Sequence, residues 1–262
     1  MTTEDALQLA LPVLFFSMLA IELSRPANQF PEVPRWHWIG VGTYIYSIGM
    51  NIGIPMLLPA EWLRAHRIFD LSTLGILPSV VIAHVVLSFF TFGWHWLTHR
   101  STLLWRVFHQ LHHAHRRMNV YVANWVHPLD MTMYGALYLF VTLFLLGLDP
   151  LAATIVGVYL LFSGFFQHWN VRTPHWLGYF IQRPESHYIH HQRHLHKYNY
   201  SDFPLWDLVF GTFRNPRSIE PDLGFDPPAD TRYAAMLGFV DVNPDATMGA
   251  PSTTTAVGPR PS

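Results

Sequence analysis

Long apolar runs separated by short polar connections mark out the first two thirds of the chain. The runs at 7–23, 38–58 and about 74–97 are each close to the ~20 residues that a membrane-spanning helix needs. Pro12 and Glu22 interrupt the first run, for which a buried helix of a globular protein is the alternative. Glycines weaken the helix propensity of the second run. We expect all three runs to form membrane helices.

Two further apolar runs, 131–146 and 151–166, flank the turn Gly147-Leu148-Asp149-Pro150. At about 16 residues each, they are short for a hydrocarbon core of ~30 Å. We predict a helical hairpin that crosses most or all of the membrane and then returns. The segments that precede and follow the hairpin therefore lie on the same side of the membrane.

Histidines collect where the apolar runs end, and they do so at helical spacing. Because a helix turns about 100° per residue, residues i, i+3 and i+4 share one face. The clusters are the pair His95 and His99, the triple His109, His112 and His113, and the triple His187, His190 and His191. The hairpin lies between the triples, so all three clusters fall on one membrane face.

A single buried histidine is usually a hydrogen-bonded core residue, but three such clusters predict a metal centre. Neutral imidazole is a common metal ligand, and rings protonated together would repel one another. The number of histidines suits two ions, each with three or four imidazoles and an open position.

Composition agrees with a membrane protein and limits the ligand chemistry. Half of the 262 residues are hydrophobic, 13% are charged and 15% are aromatic, as expected for aromatic belts at a lipid interface. The 16 basic and 17 acidic residues nearly cancel, so nothing indicates nucleic acid as a partner. The chain has no cysteine, which excludes disulfides, thiolate ligands and Fe–S clusters. Any metal must be held by nitrogen and oxygen ligands.

The distribution of basic residues predicts the orientation. The face that bears the histidines also carries most of the arginines and lysines, whereas the opposite loops hold chiefly Arg64 and Arg67. By the positive-inside rule, the metal face should be cytoplasmic. The C-terminal GPRPS lacks an endoplasmic reticulum retrieval signal. We therefore favour a bacterial inner membrane over the endoplasmic reticulum.

The motifs favour iron over zinc. Structural zinc usually has cysteine among its four ligands. The zinc-protease motif His-Glu-x-x-His is absent, because Gln110 and Tyr188 occupy its second position. Nitrogen-ligated iron with open positions suits O2 activation.

The ordered histidine motifs resemble those of the fatty acid hydroxylase/sterol desaturase superfamily of integral-membrane di-iron enzymes. Two further stretches are similar: His127-Pro128 before the hairpin, and the run from Asn199-Tyr200 through Trp206-Asp207 to Phe213. The resemblance extends over about residues 78–216. It implies an all-α integral membrane protein of about four transmembrane helices, hairpin included, with a cytoplasmic helical cap that holds a histidine-rich di-metal site.

The resemblance also implies the ligand set of two iron ions. The implied ligands are His95, His99, His109, His112, His113, His168, His187, His190 and His191. His127 and His194 are possible ligands or neighbours of ligands. Asn199 and Asp207 are expected to orient ligand imidazoles through their second nitrogen, although a helix cap is the alternative.

Outside this set, the expectations are structural. We expect His196 in the outer shell or at the surface, and Trp206, Phe210 and Phe213 in the core. For Arg183 we expect a solvated turn, with contact to a lipid headgroup or phosphate as the alternative. Residues 169–238 should form a polar, aromatic-rich cytoplasmic section, with disorder from about residue 243. The predicted parts are the N-terminal transmembrane helices and loops (1–72), the histidine-box di-iron core (73–216) and a C-terminal extension (217–262).

The implied function is O2-dependent hydroxylation of a lipid, such as a fatty acyl chain or a sterol, with two electrons from outside. No cytochrome b5-like domain and no Gly-x-Gly-x-x-Gly motif is present in the sequence, so we expect a separate donor: a cytochrome b5-like protein, a ferredoxin or a reductase. A desaturase with the same site is the main alternative. A histidine-rich metal transporter or sensor would require polar residues through several spans, and His84 is the one histidine placed well inside a span.

Overall fold

The computed structural model describes residues 2–219 and 222–243, and the described part of the chain is all-helical. Its one β-bridge pairs Gln192 with Leu223. The predicted all-α class is therefore confirmed. The disorder expected from about residue 243 concerns residues 244–262, which lie outside the described residues.

Among residues 2–219 and 222–243, five long helices form the body of the protein and six short ones complete it. In chain order the helices are α1 Thr3–Ser24, α2 Trp36–Leu57, α3 Ala60–Ala65, α4 Ile76–Thr98, α5 Thr102–Leu104, α6 Gln110–His113, α7 Pro128–Leu139, α8 Pro150–His168, α9 Pro184–His190, α10 Leu205–Val209 and α11 Tyr233–Leu237. A π-helical turn, Trp105–His109, joins α5 to α6, and a second, Phe140–Leu145, extends α7. Single 3₁₀ turns occupy Val120–Asn124, His175–Tyr179 and Ala229–Thr231.

Four helices of the described chain are long and apolar enough to cross a membrane: α1, α4, Pro128–Leu145 and α8. This makes the chain an integral membrane protein. The hairpin arms are 18 and 19 residues long, longer than expected. The first arm begins three residues before the predicted run, at Pro128, and the second begins at Pro150 and continues to His168; both prolines occupy a first helical position. Helix α2 has 22 residues but is not among these four helices. The predicted second span is therefore not apolar enough to be counted with them.

The C-terminal ends of α1, α4 and α8 lie together at one end of the helix bundle. The carboxylate of Glu22 accepts hydrogen bonds from the backbone N–H of Val120 (3.2 Å) and of Asn170 (3.1 Å). The indole of Trp169 donates to the carbonyl of Met18 at 2.7 Å. Glu22, which interrupts an apolar run in the sequence, thus ties α1 to the end of α8 that carries His168.

Two glycines are required by close approach. A Cβ atom on Gly40 in α2 would lie 2.3 Å from Cγ of Tyr121. The 3₁₀ turn Val120–Asn124 can therefore pack on α2 only because residue 40 has no side chain. Gly147, in the hairpin turn, has φ +56° and would place a Cβ 2.6 Å from the carbonyl oxygen of Phe69. Both glycines hold the bundle in register with the loops that cap it.

Two structural expectations outside the histidine clusters were wrong. Arg183 is completely buried, forms an ion pair with Glu185 at 3.1 Å and donates to the carbonyl of Pro216. A buried guanidinium needs such partners, so this stretch is not a solvated turn. Phe210 is 55% exposed rather than in the core, and Trp206 and Phe213 are half-buried.

Candidate metal centre

His95 and His99 lie at the C-terminal end of α4, beside the C-terminal ends of α1 and α8. His95 is buried in the last turn of α4, and His99 is the residue at which the helix stops. Their ring centroids are 5.2 Å apart. The i, i+4 spacing therefore places the two imidazoles side by side, as the sequence predicted.

The two histidine triples lie on short helices that face each other. His109 ends the π-helical turn and His112 and His113 follow on α6. His187 and His190 lie on α9, and His191 follows it. His113 and His191 stack with ring centroids 4.1 Å apart. His168, the last residue of α8, contacts both triples: it lies 4.9 Å from His112 and 4.4 Å from His187, centroid to centroid.

The histidine nitrogens converge as two groups rather than one. Within each group the possible ligand atoms all lie within 4.8 Å of one another. The first group is His95, His99, His109, His113 and His190, and the second is His112, His168, His187 and His191.

Each triple contributes histidines to both groups, and the two triples do so in opposite ways. The i and i+4 members of the first triple, His109 and His113, join the first group, and the i+3 member, His112, joins the second. In the second triple, the i and i+4 members join the second group, and His190 crosses to the first. The two groups therefore share both short helices and must adjoin.

The ring nitrogens have the hydrogen-bonding pattern of metal ligands. In the first group the Nε2 atoms of all five histidines are buried and have no hydrogen-bond partner among the described residues. In the second group the Nε2 atoms face one another: that of His168 lies 3.2 Å from that of His112 and 3.0 Å from that of His187. Unpartnered buried nitrogens are costly, and a metal ion would satisfy them.

In several of the histidines the opposite nitrogen, Nδ1, is held by a backbone carbonyl. His95 Nδ1 lies 2.7 Å from the carbonyl of Tyr200, His190 Nδ1 lies 2.8 Å from that of Tyr198, and His168 Nδ1 lies 2.7 Å from that of Gly164. An Nδ1–H that donates to such an oxygen leaves Nε2 with a free lone pair. The residues present thus fit two metal ions bound through Nε2.

The electrostatics agree with this tautomer. Burial first, and then the neighbouring imidazoles, lower the pKa of His99, His113 and His190 well below the ordinary value of 6.5. The same causes lower the pKa values of His112, His187 and His191. The rings are therefore neutral near pH 7, which is the form that binds metals.

The structure places the four possible ligands or neighbours outside both groups. His127 caps α7: its Nδ1 accepts from the N–H of Leu129, and its Nε2 lies near the carbonyl of Leu237. His194 is exposed and pairs with Asp226 at 3.1 Å.

Asp207 and Asn199 contact backbone groups rather than imidazoles. Asp207 accepts from the N–H groups of Tyr200 and Ser201, both at 2.9 Å. Asn199 donates to the carbonyl of Ser186 at 2.7 Å. Asp207 thus acts one step away from a candidate ligand, because the carbonyl of Tyr200 is the partner of His95 Nδ1. The expected direct contact with an imidazole does not occur.

Sequence reasoning missed one neighbour of the centre, Asp130, and left the position of another, His196, open. Asp130, completely buried in the first turn of α7, lies 2.8 Å from Nδ1 of His109 and also accepts from the indole of Trp94. A carboxylate at the start of an apolar run was the available signal. His196, which was expected in the outer shell or at the surface, is buried with Nδ1 3.1 Å from that of His113.

A family comparison agrees with this geometry. The sequence profile of the fatty acid hydroxylase family matches residues 80–212, which make up just over half of the chain. This stretch includes every histidine of both groups. No curated protein and no solved structure was found that matches the chain. An all-helical membrane protein with these histidine groups and this match belongs to the fatty acid hydroxylase family, within the sterol desaturase/fatty acid hydroxylase superfamily.

Proposed function

We propose that the protein is a membrane-bound di-iron oxygenase that hydroxylates an unactivated C–H bond of a lipid. The substrate class is a fatty acyl chain, a sterol or a related hydrophobic chain. The reaction consumes O2, two electrons and two protons, with one oxygen atom entering the C–H bond and the other leaving as water. The observation that carries the proposal is the pair of adjoining groups of five and four imidazoles at the ends of membrane helices.

The proposed ligands of the two iron ions are the nine histidines of the two groups. Iron bound there would supply the activation of O2 and the oxidising power needed for a C–H bond. The protein holds the Nε2 atoms in place through the oxygens that accept from Nδ1: those of Asp130, Tyr198, Tyr200 and Gly164. The absence of carboxylates from both groups leaves the centre entirely nitrogen-ligated within the described residues.

The position of the centre supports a lipid substrate and an external donor. His95 lies in the last turn of α4, whose outer surface exposes large apolar side chains such as Val81, Phe89 and Leu97, so the acyl chains of the bilayer lie close to the centre. We propose a separate electron donor of the cytochrome b5-like, ferredoxin or reductase class. We further propose that the centre faces the cytoplasm, in a bacterial inner membrane, and that residues 73–216 form the di-iron core on which residues 1–72 pack.

Two measurements test the proposal. Purified protein should contain about two iron ions per chain, and cells that express it should accumulate a lipid heavier by one oxygen atom than its precursor. The matched control is His190→Ala, which removes one proposed ligand and should abolish the product while leaving membrane insertion intact. A product that has lost two hydrogen atoms instead would identify a desaturase. Full turnover with zinc and without iron, or an unchanged lipid profile in air, would contradict both oxygenase readings.

A further inference from the structure

The short helix α10 packs against the side of a membrane-spanning helix. The indole of Trp206 donates to the hydroxyl of Ser88 in α4 at 2.9 Å, and the ring of Phe210 stacks on Phe92 with centroids 5.1 Å apart. Ser88 and Phe92 lie one to two turns before His95. At 1.5 Å per residue, α10 therefore sits about 5–10 Å nearer the middle of the membrane than the candidate metal centre.

The outer face of α10 is apolar and exposed. Leu208, Val209 and Phe210 are each more than half exposed. Beside them on α4, Phe89 contacts Trp206 with ring centroids 4.9 Å apart and is itself 41% exposed. The exposed surface of α10 is thus continuous with the outer surface of a helix that crosses the membrane.

The apolar surface continues onto the 3₁₀ turn His175–Tyr179. Tyr179 contacts Phe213 with ring centroids 5.8 Å apart, which joins the turn to the segment after α10. Trp176, Tyr179 and Phe180 are each more than half exposed. We name the six residues Trp176, Tyr179, Phe180, Leu208, Val209 and Phe210 the leaflet patch. Soluble surfaces rarely expose such a set of large apolar side chains together.

Arg214 directly follows Phe213, whose ring contacts Tyr179 of the leaflet patch, and further basic residues are exposed on the same part of the chain. The guanidinium of Arg214 lies 4.2 Å from the ring centroid of Tyr198, and that of Arg100 lies 4.7 Å from that of Trp96. Lys197 and Arg217 are also exposed. Cations and aromatic rings beside an apolar surface match the headgroup region of a membrane that contains anionic lipids.

We infer that the leaflet patch is inserted among the lipid acyl chains on the side of the metal centre, with its basic neighbours at the headgroups of anionic lipids. A lipid leaflet is the occupant because the patch adjoins the outer surface of α4 at a depth that lipid must already reach. Segment 176–210 therefore lies partly in the membrane rather than wholly in a polar cytoplasmic section.

The inner face of α10 connects the leaflet patch to the candidate metal centre. Asp207, buried on that face, accepts from the N–H of Tyr200, whose carbonyl is the partner of His95 Nδ1. The depth of α10 in the leaflet thus sets the depth of the candidate centre relative to the acyl chains.

The absence of cysteine allows a clean depth measurement on the full chain. Single variants Val209→Cys and Phe180→Cys are labelled with a nitroxide and placed in vesicles that contain anionic lipid. Reference labels are Val13→Cys, on the outer face of α1, and Asp222→Cys, whose side chain is 72% exposed. We expect O2 to relax the patch labels strongly and a water-soluble nickel chelate to relax them weakly, as at Val13.

Two outcomes would overturn the inference. Nickel accessibility equal to that at Asp222 would place the patch in water. Protection from both O2 and nickel would mean that a protein, whether a second copy or an electron donor, covers the patch. Val209 and Phe180 are 62% and 65% exposed, so the substitutions leave the buried core intact, and an unchanged circular dichroism spectrum verifies that each variant is folded. The same measurement with neutral vesicles should give a shallower label at Val209, because the basic residues then lack their partners.

Discussion

A carboxylate and several backbone carbonyls determine which nitrogen is free in four of the nine histidines: His95, His109, His168 and His190. Asp130 is completely buried and its oxygens are used by His109 Nδ1 and by the indole of Trp94. The carbonyls that hold His190 and His95 belong to Tyr198 and Tyr200. Tyr198 and the next residue, Asn199, have φ +67° and +51°, a strained left-handed backbone that a functional site can require. These contacts orient the imidazoles before any metal binds.

Replacing Asp130 by Asn should weaken iron binding by roughly 10–100-fold, the usual effect of losing a carboxylate that holds a ligand histidine. The amide cannot serve both His109 Nδ1–H and the Trp94 indole N–H as an acceptor through two oxygens. The measurement is iron content of the purified protein after dialysis against graded chelator. Asp226→Asn, at an exposed ion pair, is the matched control and should retain iron. Equal iron retention by the two variants would contradict this role of Asp130.

At the scale of elements, two short segments, 105–113 and 184–191, supply six of the nine histidine donors. The segment 105–113 begins as a π-helical turn, and α9 faces it. The i and i+4 histidines of the first triple belong to the first group, whereas those of the second triple belong to the second group. A π-helical turn widens the helix and shifts the residues that follow. The two groups therefore arise from one pair of facing segments, completed by α4 for the first group and by α8 for the second.

Removing two ligands from one group should leave the other group able to bind its ion. His95→Ala with His190→Ala empties the first group, and His168→Ala with His187→Ala empties the second. We expect each double variant to retain about half of the iron of the unmodified protein, as measured by elemental analysis. His187→Ala with His190→Ala, which takes neighbouring residues of α9 from different groups, should weaken both. Complete iron loss from both within-group variants would contradict two separately ligated ions.

At the scale of the whole molecule, the neutral histidines make the metal-free protein sensitive to acid. Burial keeps the pKa values of His113, His190 and their neighbours outside the membrane spans well below 6.5. In the unfolded chain the same imidazoles take up protons as the pH falls through about 6.5. Below that pH the unfolded state binds more protons, so the free energy of unfolding decreases as the pH decreases.

Thermal unfolding of the metal-free protein in detergent should therefore occur at a lower temperature at pH 5.5 than at pH 7.5. These values lie about one unit on either side of the ordinary histidine pKa. At the higher pH the stability from these groups is fully present. Added iron should raise the unfolding temperature at the higher pH, because the metal binds only the folded state. A metal-free unfolding temperature that is the same at both pH values would contradict the neutral, buried state of the rings.

The fold class and the candidate donors could be predicted from the sequence because both depend on local periodicity. Apolar runs predicted all four candidate spans, although the run 38–58 forms a helix that is not among them and the hairpin arms extend further than their runs. Histidines at i, i+3 and i+4 predicted clusters at the helix ends, and all nine named histidines fall in the two groups. Such patterns persist in the sequence because each helix presents one face to one environment.

Tertiary structure decided the partition of the histidines and the environment of the chain after α8. Helical spacing places His109, His112 and His113 on one face, but only the approach of α9 and α8 determines that His112 joins the second group. Likewise, Arg183 is buried and Phe210 exposed because of what packs against them, not because of their own chemistry. The sequence by itself determined which residues could bind metal. The packing of segments distant in the chain decided which of them meet, since that depends on contacts that local periodicity does not encode.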